Sequence, residues 1–374
     1  MRFSTLILRN LIRRPSRSLL TSFGLAIGIA AVVVLTAVAW GFERSFLNIY
    51  ESKGIDLVVT RAGVTDQLSS SLDQSLADKV RAVPGVQGVA VSLLDAVSFE
   101  DAGVVSALVS GWEPGSLLFK GLKVTDGRML GPDDQRGTMI GRVLAATLDK
   151  SAGDTVEVAG EPFHVIGVYE STSLFENGGL TVRLKDLQEM MGREGKITAM
   201  VVSADDPEPD FVKGLGKRIE AQVDGVAAVP ARDFVERDAI LRLAKSMAWA
   251  TWVVALVLGS VGMLNTMAMS VFERTREIGT LRALGWKGRR VVWLVMGEAL
   301  ALGVVGAVLG VLMGFLGLQA LTLAPTSRGF VTSDLPPGTV WVGAAVALIL
   351  SLLGGLLPAI RASRLEPTEA LRHE

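Results

Sequence analysis

Four long apolar runs interrupt an otherwise mixed pattern of hydrophobic and polar residues. Leu19–Trp40 continues for 22 residues without a charge, Met247–Phe272 for 26 and Val340–Ile360 for 21. Val291–Leu323 adds 33 residues with one charge, Glu298. Each run reaches the roughly 20 residues that a helix needs to cross a hydrocarbon core about 30 Å thick. The pattern predicts an α-helical membrane protein with four transmembrane helices, at 19–41, 246–272, 291–323 and 340–360. The first run follows basic residues, and its Ala37-Val38-Ala39 resembles a cleavage site. Its length exceeds the roughly 7–15 residues of a signal-peptide core, which favours a retained span over a cleaved leader.

Between the first two runs the period changes. Residues 42–245 are long enough to build a core of their own. Ile55–Thr60 reads as a strand, Leu72–Val83 as a helix, Pro84-Gly85 as a turn and Val86–Leu93 as an alternating strand. The same order recurs with Ile197–Ser203, Phe211–Val223, Asp224-Gly225 and Val226–Val229. KVRAVPGVQGVAV (Lys79–Val91) lies beside RIEAQVDGVAAVP (Arg218–Pro230) as a weak internal repeat. Two βαβ halves, about 53–98 and 196–231, therefore frame an α+β domain. The insertion between them, about 99–195, is strand-rich at Val104–Trp112, Thr155–Val158, Phe163–Tyr169 and Leu180–Arg183. Gly153–Tyr169 reads as a hairpin turning at Ala159-Gly160-Glu161-Pro162. Phe42–Ser52 and Arg232–Lys245 read as helical extensions of spans one and two, able to carry a rotation that a flexible tether would lose.

Charge orients this plan. The chain has a net charge of −1, but residues 42–245 carry −9 and the remainder +8. Basic residues gather before span one (Arg2, Arg9, Arg13, Arg14, Arg17), between spans two and three (Arg274, Arg276, Arg282, Lys287, Arg289, Arg290) and after span four (Arg361, Arg364, Arg372). Excess Lys and Arg mark the cytoplasmic side. Residues 1–18, 273–290 and 361–374 are then cytoplasmic, both termini included, while 42–245 and the loop 324–339, with Arg328 and Asp334 as its charges, lie outside. Flanking a membrane accounts for the basic residues better than nucleic acid does.

Several chemistries find no footing. There is no cysteine, hence no disulfide framework or thiolate metal site. No phosphate-binding G-x-x-x-x-G-K-[ST] loop, H-E-x-x-H or G-x-S-x-G occurs, so no catalytic residue and no cofactor of the chain's own is expected. His164 lacks partners at ligand spacing and reads as a structural strand residue rather than a metal ligand. Glu298 is the one charge within a span, a functional candidate by position. With Asn265 as the nearest polar group, a hydrogen bond between spans is the plainest reading, and a part in conformational switching is the alternative. Gly303, Gly306, Gly310, Gly314 and Gly317 in span three, with Gly24 and Gly28 in span one, would let helices approach closely, either within one chain or between two copies.

One segment between the runs stands out: SVFERTREIGTLRALGW, Ser270–Trp286. On a helix, Ile278, Leu281 and Leu284 share one sector, while Arg276, Gly279, Thr280 and Ala283 occupy another. Glu273–Arg276 and Arg274–Glu277 are opposite-charge pairs three residues apart, and Gly285 is placed to end the helix. By its physics alone this is a solvated, charge-laced connector.

FERTREIGTLRALGW resembles the motif that follows the second span in permeases of the MacB, LolC/LolE and FtsX superfamily of ABC transporters. LPAIRASRLEPTEALR (Leu357–Arg372) is similar to the closing motif of that family, and GDTVEVAGEPFHVIGVY and SGWEPG (Ser110–Gly115) resemble its extracytoplasmic domain. The resemblance covers essentially the whole chain, in order. It implies that 273–290 is a coupling helix docking on a cytoplasmic ABC ATPase subunit through Glu273, Arg274, Arg276, Glu277, Ile278, Leu281, Arg282 and Leu284, the apolar three entering a groove on the partner. It further implies a Porter-like βαβ pair with a Sabre-like insertion. A second permease copy, identical or related, and ATP-Mg bound by the ATPase are implied too, as is, in some relatives, a periplasmic adaptor protein. This chain lacks the ATPase fused in MacB itself, so that subunit is expected in trans. The place would be a bacterial inner membrane. The function implied is mechanotransmission (type VII) for efflux, export or lipoprotein handling. The alternative is an FtsX-like transmembrane regulator of a cell-wall hydrolase or other outer partner. A lipid or proton channel is disfavoured by the single internal carboxylate.

Overall fold

A computed structural model describes residues 15–64, 67–323 and 336–366. The basic positions Arg2, Arg9, Arg13, Arg14, Arg328 and Arg372, with Asp334, lie outside the described residues, as does the side chain of Arg17. The chain divides into two compact units: Gly41–Leu243 forms one, and the described residues of Met1–Trp40, Ala244–Ala324 and Thr332–Glu374 form the other.

The helical unit holds the apolar runs. Helix α1, Pro15–Glu51, continues without a break past the end of its apolar run, as expected for Phe42 onward. The sheet unit then follows in chain order: β1 (Leu57–Arg61), β2 (Leu72–Asp73), α2 (Leu76–Arg81), β3 (Val86–Phe99) and β4 (Val104–Trp112). Next come β5 (Lys123–Gly127), β6 (Gly137–Gly141), α3 (Arg142–Leu148), β7 (Thr155–Val158), β8 (Glu161–Glu170), α4 (Leu174–Asn177) and β9 (Leu180–Arg183). The unit closes with α5 (Leu184–Met190), β10 (Lys196–Ile197), β11 (Ala199–Ala204), α6 (Pro209–Gln222), β12 (Val226–Pro230) and α7 (Ala231–Arg237). Helices α8 (Ala239–Glu273), α9 (Thr275–Ala283), α10 (Gly288–Leu323) and α11 (Pro337–Ser363) complete the chain. Four of these helices, α1, α8, α10 and α11, are long and apolar enough to cross a membrane.

Ten strands form one sheet in the order β12-β1-β11-β3-β4-β9-β6-β8-β5, with β7 paired to β8, and β2 and β10 pair in a separate two-stranded sheet. The two βαβ units, β1-α2-β3 and β11-α6-β12, interleave: β11 lies between β1 and β3, and β1 between β12 and β11, every neighbouring pair antiparallel. The insertion extends the same sheet through the β3–β4 hairpin and the parallel β4–β9 pair. One apolar face buries Leu57, Val59, Leu93, Ile140, Leu187 and Leu215 among others. The other buries Tyr50, Trp112, Met139, Tyr169 and Leu241.

Three local expectations are corrected. Leu72-Asp73 is not the start of a helix; it pairs with Lys196-Ile197, and the helix begins at Leu76. The β7–β8 turn is Ala159-Gly160 alone, both at positive φ (51° and 83°), so Glu161 and Pro162 already belong to β8. Arg232–Lys245 is not a single helix. It breaks at Asp238, whose carboxylate accepts from the Leu241 amide at 3.0 Å and so starts α8 afresh.

Candidate functional site

The charged segment sits where α8 ends. Glu273 is its last residue; Arg274 leaves helical geometry (φ −115°, ψ 18°), and α9 restarts at Thr275. The Thr275 hydroxyl donates to the Phe272 carbonyl at 2.8 Å, which satisfies an acceptor that the break leaves behind. At the other end Gly285 takes φ +91° with its amide on Arg282 O, while the Trp286 amide bonds Leu281 O. These two bonds close α9 in the manner of a Schellman cap, which needs a residue free to adopt the left-handed conformation.

Burial along α9 is graded. Ile278 is 2% exposed and belongs to the core of the helical unit; Leu281 is half-buried; Leu284 is 76% exposed. The expectation that all three apolar residues enter a partner's groove is therefore corrected for Ile278, which is occupied by its own chain. Glu273, Arg276 and Glu277 are exposed, and Arg274 and Arg282 half-buried. Arg282 turns back to donate to Trp286 O at 3.2 Å. Phe272, 73% exposed, lies at the end of the second span, one residue before the last of α8.

Arg274 makes the segment's main connection. Its Nη1 donates to Glu298 Oε1 at 2.7 Å and its Nε to Glu277 Oε2 at 3.3 Å. Glu298 thus takes its cation from the charged segment. The expected bond to Asn265 is absent: Asn265 is exposed on α8, beside the Thr21–Thr266 hydroxyl bond of 3.1 Å. A guanidinium just beyond α8 reaches a carboxylate that an amide nine residues earlier, on α8 itself, does not.

Glycines tie α10 to α1. A Cβ at Gly306 would stand 3.0 Å from Leu25 Cβ, one at Gly310 2.7 Å from Ile29 Cβ, and one at Gly314 2.9 Å from Val33 Cγ1. The three glycines thus form a groove that receives the Leu25, Ile29 and Val33 ridge of the same chain, spaced four residues apart on both helices. Packing within one chain accounts for them. Gly24 meets nothing within 4 Å, and Gly28 only Ala255 Cβ at 3.8 Å; they line an open groove of about 530 Å³ between α1 and α8. Among the described residues no group of three His, Cys, Asp or Glu could hold a metal ion.

Four long apolar helices, an α+β unit inserted after the first, and a charged connector pinned to the third define a multi-pass membrane protein. Residues 18–210 match the MacB-like periplasmic core domain and residues 249–367 the FtsX-like permease C-terminal domain, and the chain belongs to this MacB/FtsX family of ABC-transporter permeases. It is 24% identical to the uncharacterized ABC transporter permease YknZ of Bacillus subtilis, over 98% of each chain. It is 28% identical to the uncharacterized permease YvrN of the same organism, over 96% of each. The macrolide export ATP-binding/permease protein MacB of Nitrobacter winogradskyi is 27% identical over 96% of this chain, which spans 58% of that protein's length. Among solved structures, the extracellular domain of YknZ covers 47% of this chain and 98% of its own at 20% identity, with a TM-score of 0.38.

Proposed function

We propose that this permease couples ATP hydrolysis by a separate cytoplasmic subunit to rearrangement of the sheet unit outside the membrane, in export, efflux or lipoprotein handling. The observation that carries the reading is the Arg274 bridge: one side chain ties the exposed connector to a carboxylate within an apolar helix. A push on α9 reaches α10 through Arg274 and Glu298. It passes from α10 to α1 through the interlocked Gly306, Gly310 and Gly314, because close-packed ridges transmit strain rather than absorb it. Helix α1 carries it on without interruption to Glu51. The docking surface is Phe272, Glu273, Arg276, Glu277 and Leu284, with Leu281 at its edge: exposed apolar anchors ringed by charges of both signs. The charge bias supports a cytoplasmic connector and cytoplasmic termini. ATP-Mg is bound by the partner, and a second permease copy completes the complex.

The test is to purify the permease with its associated ATPase and compare it with Phe272→Asp/Leu284→Asp. Burying either carboxylate at a docked interface is costly, so the double variant should lose the ATPase subunit while its helical content and membrane insertion are retained. Undiminished ATPase association in the double variant would defeat the assignment.

A further inference from the structure

Helix α1 ends in a second Schellman cap. The Ile55 amide bonds Tyr50 O at 3.0 Å, the Gly54 amide bonds Glu51 O at 3.2 Å, and Gly54 takes φ +69°. The cap fixes Lys53 and points its side chain inward, where it is fully buried. The ammonium has three protons to give. Two acceptors are the carbonyls of Leu118 and Lys120, the latter at 3.1 Å, and Glu176 Oε1 lies at 3.1 Å. The Trp112 ring lies 5.1 Å away, centroid to nitrogen. All four partners belong to the insertion. Burial lowers the ammonium's proton affinity and the Glu176 charge opposes that, so a neutralised carboxylate would remove part of what keeps Lys53 charged.

Other contacts run in the same direction. The Leu174 amide donates to Ser45 Oγ at 2.7 Å, which lies 3.3 Å from Ser173 Oγ. Phe46 and Phe42 pack on Phe175 at ring-centroid distances of 4.0 and 5.5 Å. The gripped segment is itself knit to the insertion: Tyr169 donates to Glu176 O at 2.8 Å, Ser171 to Glu176 Oε2, and Asn177 bonds the Ser171 backbone at both its amide and its carbonyl. The arrival of α8 differs. It leaves the βαβ pair through β12 and α7, across the break at Asp238 (φ −56°, ψ 133°).

We infer that Lys53 is a positioning residue that locks the outer end of α1 to the insertion, so that the two move as one body. The meaning of that movement for transport rests on the permease reading above. The joint itself does not, and it is tested without nucleotide or ATPase. The chain has no cysteine, so spin labels attach only at introduced sites. Exposed Arg44 on α1 and exposed Thr147 on α3 serve as Arg44→Cys and Thr147→Cys in the full chain in lipid nanodiscs. One narrow distance distribution is expected in the parent. Lys53→Met, which keeps the stem and removes the charge, should replace it with a broad distribution. Ser45→Ala, which removes only the acceptor for Leu174 N, should broaden it to a lesser degree and serves if Lys53→Met fails to fold. Broadening in either variant supports the joint. A distribution as narrow as the parent's in every variant that folds overturns it, whatever the outcome of the ATPase experiment.

Discussion

The Arg274–Glu298 bridge makes a quantitative prediction, because its two ends are unequally buried. The Glu298 side chain is 8% exposed and that of Arg274 20%, and the N–O distance is 2.7 Å. Removing one partner of a buried ion pair costs about 3–5 kcal/mol, mostly the penalty for the charge left behind. Arg274→Met leaves the more deeply buried Glu298 without its arginine and should cost that full amount. Glu298→Gln leaves an arginine that is partly exposed and still has Glu277 within reach, so its cost should be nearer that of one charged hydrogen bond, about 1.5–3 kcal/mol. Since the second loss in the double variant removes a charge that has already lost its arginine, Arg274→Met/Glu298→Gln should be no less stable than Arg274→Met alone. The non-additivity should then be at least the Glu298→Gln cost, about 1.5–3 kcal/mol. Denaturant unfolding in mixed micelles, followed by tryptophan fluorescence, measures all four proteins. Single-variant costs that add to within about 0.5 kcal/mol would refute the bridge as an energetic connection.

Two further outcomes follow from the packing and the sheet unit. Gly310→Leu should destabilise the helical unit by about 1–3 kcal/mol or more, since even a Cβ would stand 2.7 Å from Ile29 Cβ, whereas Gly24→Ala, in open space, should change stability by less than about 0.5 kcal/mol. Equal effects on the unfolding midpoint would contradict the ridge-and-groove assignment. In the sheet unit the Arg128 guanidinium forks onto both carboxylate oxygens of Asp134 at 2.6 Å, and the Gly131 amide adds a bond of 2.7 Å, holding the carboxyl at about 2 against an ordinary 3.8. A depressed pKa stabilises the fold above the unfolded value and loses that contribution as pH falls from about 3.8 through about 2. Asp134→Asn should flatten the pH dependence of denaturation midpoints in that window, and an unchanged profile would count against it.

What could be read from the sequence depended on how local its cause was. Val104–Trp112, Thr155–Val158 and Leu180–Arg183 carry enough β-branched residues to place their strands at the observed bounds, and the four apolar runs needed only length. Leu72-Asp73 reads as a helix start because its partner, Lys196-Ile197, is remote in the chain, and an apolar residue followed by an acidic one fits a helix start equally well. The break at Asp238 did leave a local trace, an Asp three residues before a buried leucine, but the surrounding helix-forming residues concealed it. Periodicity groups Ile278, Leu281 and Leu284 into one sector. It could not say where the core ends along that sector, and the structure ends it between Ile278 and Leu284. Lys53 carried no signal: one lysine after a helix resembles any surface cation until Trp112, Leu118 and Glu176 converge on it.

The two buried pairs obey one logic. Arg274 stands one residue beyond the end of α8 and Lys53 two beyond the end of α1, each held by a carboxylate from a different element. A helix terminus offers unsatisfied carbonyls and the negative end of the macrodipole, so a cation there is favourably placed in any case. Committing it to a buried carboxylate adds little net stability relative to an apolar contact, but the pair tolerates few alternative geometries. Such a bond suits a junction whose angle must survive load better than it suits a core. The Ser45→Cys/Ser173→Cys pair offers a direct comparison, because a disulfide there would hold the α1 joint without charge. If Lys53 acts by fixing the angle, oxidised Ser45→Cys/Ser173→Cys should return ATPase-coupled activity to a Lys53→Met chain, and reduction should remove it again. Failure of the oxidised, folded triple variant to recover would mean that the charge matters for something other than the angle.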